Sequence, residues 1–323
     1  MKCSKILIFI FLIVSVFTSC KDYTRFYKDV SKESVNIKIE RFDIDLLNSD
    51  TVALRAKYGQ FFDLYTYRIL GLNNGSQLSM FLNDTSIMRL YSDAEKTYKN
   101  VGDIEKELTT AFRYYKCYFP ENQIPRVLFH VSGFNQAIVT TDSVVSASID
   151  EYLGSDYPMY QQIVYQYELP FMSKDKLPID IMYGWLLADY DEDTDSDRLL
   201  ERMLNQGKLM YLLQVFFPER EPYEFLSYTE EKYEWCEKYE KEVWGYILDN
   251  KELFSSDWRT ITRYMQPAPF TSGLASDSPG RIGVFIGWRI ISSYMDKQKD
   301  LTLKDLMLEN DAQKILQLSA YRP

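Results

Sequence analysis

Histidine is almost absent from this 323-residue chain, where His130 stands alone. A metalloprotease helix of the H-E-x-x-H kind needs two histidines four residues apart on one face. That motif is therefore excluded. A Ser-His-Asp triad could be built only around His130, and no G-x-S-x-G accompanies it. His130 lies inside the apolar run IPRVLFHV, the setting of a hydrogen-bonded core histidine. Cysteine is scarce too: there are four, with no CxxC pair and no Cys/His cluster. A cysteine-based zinc site is excluded, and no metal or other cofactor is expected. Basic residues are outnumbered, with 37 Lys and Arg against 47 Asp and Glu and a formal net charge of -10. An acidic chain repels phosphate backbones, so no nucleic-acid partner is expected. No repeat recurs at a fixed period, and no apolar run after the N-terminus suggests a spanning helix.

What is present is a core. Hydrophobic residues make up 46% of the chain, enough to bury a substantial interior. Aromatics reach 15%, with 26 tyrosines. Tyrosine suits the half-wet margin of a helical core, and it also suits a surface that binds sugar or protein.

The N-terminus, MKCSKILIFIFLIVSVFTSC, carries Lys2 and Lys5, then an apolar run from Ile6 to Phe17, then small residues. A run of about a dozen residues is too short to span a bilayer. The pattern is that of a signal peptide, residues 1–19. Its end resembles the lipobox of bacterial lipoproteins, in which Cys20 would be diacylated and become the first mature residue. Phe17 stands where leucine is usual. Two acyl chains anchor stably where one does not. Removing residues 1–19 takes two lysines and no acid, leaving the mature chain more acidic. Residues 20–35 are polar and short of aliphatics, which suggests a lipidated tether before a globular region, residues 36–323. Cys117 and Cys236 either pair in an oxidising compartment or stay buried as free thiols.

NIKIERFDID alternates like a short strand, and the chain is helical from about Leu46 to Phe119. The clearest piece is GDIEKELTTAFRYYKCYFP: Asp103 can cap it, acids crowd its first turn and Pro120 stops it. IPRVLFHV (124–131) and SVVSASID (143–150) are rich in β-branched residues and predict a small antiparallel sheet of two or three strands. Helices are expected at about 158–169, 178–188, 197–217, 228–250 and 280–297. The fold class is α+β, predominantly α-helical: one domain of packed helices with one small sheet.

Three stretches carry possible function. DYDEDTDSD, Asp189 to Asp197, has acids at alternate positions, but Thr194 and Leu200 stand where an EF-hand needs glycine and glutamate. It reads as a solvated acidic turn or a weak calcium site. The loop QPAPFTSGLASDSPG (266–280) is long for a compact domain, a feature common at binding sites. It feeds SPGRIGVFIGWRIISSYM, where Ser278 is the expected N-cap and Pro279 the first helical residue. Gly283 and Gly287 lie one turn apart and allow another backbone to come close, at a cost of about 1 kcal/mol each against alanine. Arg281 is unfavourable beside a positive helix end unless an anion meets it. That anion is either an internal carboxylate or an external ligand.

The order of several segments resembles the gliding-motility lipoprotein family GldB of the Bacteroidota. They are the lipobox ending at Cys20, IERFDIDLL, SGFNQA leading into IDEYLG, MYGWLLADY, NQGKLMYLLQVFFP, VWGYILDN, and PFT followed by SPGRIGVFIGWRIISSYM. The resemblance implies a lipoprotein of the cell envelope, expected in the outer membrane facing the periplasm, with gliding or type IX secretion machinery as its partner. The chain is also remotely similar to predicted zinc-dependent proteases of the gluzincin-like kind, as a degenerate scaffold. Gln206-Gly207 stands where those have Glu-Gly, and the helix from Tyr183 to Asp189 has no histidine. That implies binding without cutting, and no catalytic residue is assigned. Candidate contacts for a ligand or partner are Arg281, Trp288, Arg289, Trp185 and Asp189. Two other functions stay open: a glycan-binding lipoprotein of a nutrient-uptake system, and a divergent peptidase-like hydrolase using carboxylates such as Glu168, Asp180 or Asp189.

Overall fold

A computed structural model describes residues 24–190 and 198–323. The signal segment, Cys20 and residues 191–197 of the acidic run lie outside the described residues.

The chain folds as a predominantly helical α+β domain around one small sheet. Strand β1 (Ile39–Arg41) leads into a series of short helices between Phe42 and Thr97, and then into α1 (Gly102–Tyr118). Asp103 and Glu105 occupy the first turn of α1 and its buried stripe includes Ile104, Leu108, Phe112 and Tyr115. Asp103 does not cap it. The helix begins one residue earlier, at Gly102, so its N-cap is Val101, which has no side-chain cap; Asn100 Oδ1, one residue further out, accepts the Gly102 N–H at 2.9 Å.

The sheet adds β2 (Arg126–His130), β3 (Ile138–Thr140) and β4 (Val144–Ser148), in the order β1-β2-β4-β3. It is four-stranded and mixed. β1, β2 and β4 run parallel, and β3 alone is antiparallel, at the edge. An antiparallel sheet is the expectation for strands close in sequence. Here β1 reaches β2 through a long helical crossover, which is what parallel pairing requires. Every residue of β4 is buried, so both its faces are covered.

The rest is helical: α2 (Leu177–Tyr190), α3 (Leu199–Phe216), α4 (Glu230–Asp249), α5 (Trp258–Met265), α6 (Ile282–Lys297) and α7 (Ala312–Ser319). The segment expected as a helix at 158–169 forms one turn, Tyr160–Ile163, before Val164 turns extended. α2 packs on β3 and β4, and α3 makes its largest contact with α6. That contact is a backbone-to-backbone crossing. A methyl on Gly207 would lie 2.4 Å from the Gly287 carbonyl, and one on Gly287 would lie 1.8 Å from the Met203 oxygen. On the next turn, a methyl on Gly283 would meet Met265 Sδ at 2.8 Å. The glycine edge thus serves two neighbours, α3 and α5.

Residues 24–35, expected as a loose tether, pack against the domain. Val30 and Val35 are buried. The carbonyls of Phe26 and Lys28 accept from Tyr118 and Tyr114 at 2.5 and 2.8 Å. A polar composition hides this because backbone carbonyls and one aromatic, Phe26, make most of the attachment. Cys117 and Cys236 are unpaired thiols.

Candidate functional site

The loop before α6 is built from its own backbone. Ser278 is fully buried and its Oγ accepts the Thr271 N–H at 3.1 Å. It therefore does not cap α6. Thr271 Oγ1 donates to the Pro279 carbonyl at 2.7 Å. Lys232 Nζ donates to the carbonyls of Asp277 and Ser278 at 2.8 and 3.2 Å. Gly280 lies against Ala268, where a methyl would come within 2.4 Å of the Ala268 oxygen. The Tyr228 hydroxyl is 3.1 and 2.9 Å from the carbonyls of Gly280 and Arg281.

Arg281 occupies the N-cap position itself, in the left-handed region at φ 56°. A non-glycine residue there costs of order 1 kcal/mol and persists only where its surroundings fix it. The two Tyr228 contacts and the loop bonds do that. Its half-buried guanidinium forms no ion pair or hydrogen bond with the described residues.

Arg281 stands where two chambers of one cleft meet. The inner chamber, about 460 Å3, lies between the edge strand (Ile138, Thr140) and α2 (Asp180, Tyr183, Gly184). The outer chamber, about 740 Å3, is walled by Glu151, Tyr167, Phe171, Pro267 and Pro269, among others. Ala137, Tyr152, Asp180, Ser227 and Arg281 line both. Beside Arg281, the buried Lys176 pairs with Asp180 at 3.3 Å and donates to the Glu224 carbonyl at 2.8 Å. Tyr152 donates to Asp180 at 3.0 Å. Burial pulls the Lys176 ammonium below its ordinary pKa; Asp180 opposes this and the charge of Arg281 adds to it. The inner chamber therefore holds two cations and one carboxylate.

Burial pushes Glu151, on the outer wall, up to about 8, and the charge of Asp150 adds to the rise. Asp150 itself is fully buried, accepting from the Phe134 and Ser132 N–H groups at 2.8 and 3.2 Å and from Ser148 Oγ at 2.5 Å. That cage explains the SGFNQA and IDEYLG segments: the buried Asp150 carboxylate staples the turn that starts β3, and Glu151 follows it in the short 3-10 turn Ile149–Glu151.

The other predicted contacts go elsewhere. Trp288 is buried between helices, its Nε1 donating to Gln214 at 3.1 Å. Arg289 pairs with Glu240 at 2.9 Å, and Tyr321 donates to the same carboxylate oxygen at 2.7 Å. Trp185 and Asp189 line a separate cavity of about 520 Å3. There Asp189 accepts from Tyr115 and, at 3.3 Å, from Asn122, tying α2 to α1. Of the carboxylates considered for hydrolysis, Glu168 and Asp180 reach the cleft and Asp189 does not. His130 is fully buried, with Nδ1 2.7 Å from Ser146 Oγ, and burial holds its pKa down at about 3. Among the described residues no group of three or more His, Cys, Asp or Glu is placed to hold a metal.

Residues 24–323 match the family described as gliding motility protein GldB. The chain belongs to the GldB family. The match covers the residues that line both chambers of the cleft. GldB is a gliding-motility lipoprotein family of the cell envelope. No helix among the described residues is long and apolar enough to cross a membrane. No curated protein and no solved structure matches this GldB chain.

Sequence reasoning reached Arg281 through its unfavourable charge at a helix start. It missed Lys176, although the same signal was present: a lysine directly before the apolar start of α2. Glu151 had no signal, because its environment is assembled from distant segments.

Proposed function

We propose that this protein is a non-catalytic lipoprotein, anchored through Cys20, whose cleft binds an extended peptide segment of a partner in the gliding or type IX secretion machinery. Arg281 carries the reading. Its guanidinium is held at a strained backbone position, lines both chambers and meets no acid of the described protein. An external carboxylate is the natural counter-ion.

The edge strand supports a peptide over a rounded ligand. Ala137 O accepts from Ser148 N and Thr141 N donates to Val144 O, both at 2.8 Å. Those contacts point the odd-numbered residues of β3 at β4. The backbone groups of Ile138 and Thr140 point away and have no strand partner among the described residues, the arrangement that strand addition uses. The degenerate-protease reading supports binding over cutting. On that resemblance Gln206 stands where the scaffold has glutamate, and its Oε1 accepts from the Tyr183 hydroxyl at 2.7 Å.

The test is a mild-detergent pull-down of the lipoprotein with mass spectrometry, comparing wild type with Arg281→Ala. Wild type should recover envelope machinery and the variant should lose it at least tenfold. Equal recovery would remove the cleft from the reading. Glycan binding has one specific observation in its favour: Tyr165, 69% exposed, stacks on Tyr167 at the lip of the outer chamber. Retention on a glycan panel, abolished by Tyr165→Ala, would favour it instead.

A further inference from the structure

The attachment of residues 24–30 determines how far the body can stand from its anchor. Arg25 donates to the carbonyls of Met295 and, at 2.6 Å, Leu301, at the C-terminal end of α6. Phe26 packs edge-on against Tyr118 and Tyr211, with centroids 5.5 and 6.3 Å away. The Lys28 ammonium sits 4.2 Å from the centre of the Tyr118 ring. From residue 24 onward, then, the chain is fixed to the domain at that end.

Cys20 lies four residues before Thr24, a reach of at most about 14 Å when fully extended. A compact domain of about 300 residues has a radius of gyration of ~19 Å. The link is shorter than the body's own radius, so a lipid on Cys20 holds the body against the bilayer instead of letting it swing. A free tether running to residue 35 would have reached about 50 Å. Tyr27, half exposed beside the attachment, is the kind of residue that settles among headgroups. Arg281 stands at the other end of α6, which has 16 residues and is thus about 24 Å long.

We propose that residues 24–30 form a clamp that seats the body on the lipid surface by the C-terminal end of α6 and turns the Arg281 cleft toward the aqueous side. The proposal rests on the reading of Cys20 as lipid-modified. The bilayer is then a second partner, contacted by the surface around Tyr27 and Lys299. The cleft is presented to partners in solution or on a facing membrane.

Fluorophore quenching on vesicles tests it. The lipidated protein carrying Cys117→Ser is labelled at Lys299→Cys or at Ser276→Cys, both exposed positions, while Cys236 stays buried. The vesicles carry a headgroup quencher. The label at 299 should be quenched at least threefold more than the label at 276. Equal quenching, or the reverse, overturns the orientation. Arg25→Ala with Phe26→Ala should keep vesicle flotation but shrink that difference, and an unchanged difference overturns the clamp. Cys20→Ser should lose flotation. If wild type fails to float as well, the anchored reading itself falls.

Discussion

Arg281 and Arg289 differ in what meets them, and so in what their loss does. Removing Arg289 leaves the buried Glu240 carboxylate with only the Tyr321 hydroxyl. Arg289→Ala should therefore lower stability by about 2 to 3 kcal/mol, read from urea unfolding, with partner recovery retained by whatever protein stays folded. Arg281→Ala removes no bond among the described residues, and its melting temperature should stay within about 2 °C of wild type. A large fall would show that the guanidinium serves the fold. Glu151 gives a third residue-scale outcome. Its folded pKa of about 8 lies above the ordinary 4.5, so between those values the folded state holds a proton the unfolded state has lost. Stability must then fall as pH rises from about 4.5 to 8. Glu151→Gln removes that dependence. The variant should match wild type near pH 5 and exceed it near pH 9, by of order 2 kcal/mol after allowance for water in the cleft. Equal stabilities at pH 9 would mean that the carboxyl is better solvated than its surroundings suggest.

Glycine separates legible from illegible at the scale of elements. Gly287 stood out in the sequence as a costly residue in an apolar helix, and close packing was the readable consequence. Its partner Gly207 did not stand out, because choosing which helix crosses there needs the three-dimensional arrangement. Gly287→Ala drives a methyl into the Met203 carbonyl, backbone against backbone, and should cost about 3 kcal/mol or prevent folding. Gly245→Ala is the control. It lies inside α4 with nothing within 4 Å of an added methyl, and should stabilise by about 0.5 to 1 kcal/mol. Thermal melts of the pair decide whether steric contact or helix propensity dominates. The same split runs through the other elements. α1 was legible because its acidic start, apolar stripe and proline stop are local signals. The parallel pairing of β1, β2 and β4 was not, since it depends on a crossover of many residues. Ser278 looked like a cap because caps are judged from neighbours in sequence, yet its hydroxyl is used by Thr271 across the loop.

At the scale of the whole molecule, the fold reaches further toward the N-terminus than composition suggested. The polar segment before residue 36 has few apolar residues, and its attachments combine carbonyls, Arg25, the Phe26 ring and the isolated valines Val30 and Val35, which form no hydropathy pattern. A chain begun at residue 36 would expose Tyr114, Tyr118 and Tyr211 and lose the burial of Val30 and Val35. Burying an aliphatic side chain contributes roughly 1.5 to 3 kcal/mol, and a net hydrogen bond about 1. Domains of ordinary stability hold only about 5 to 15 kcal/mol in total. The shortened chain should therefore lose about 4 kcal/mol or more, and melt many degrees below a chain begun at residue 24. If the two melt together, residues 24–35 rest on the body without stabilising it. A clamp that weak would not hold the cleft away from the membrane, so this comparison of two melting curves bears on orientation as directly as the vesicle experiment does.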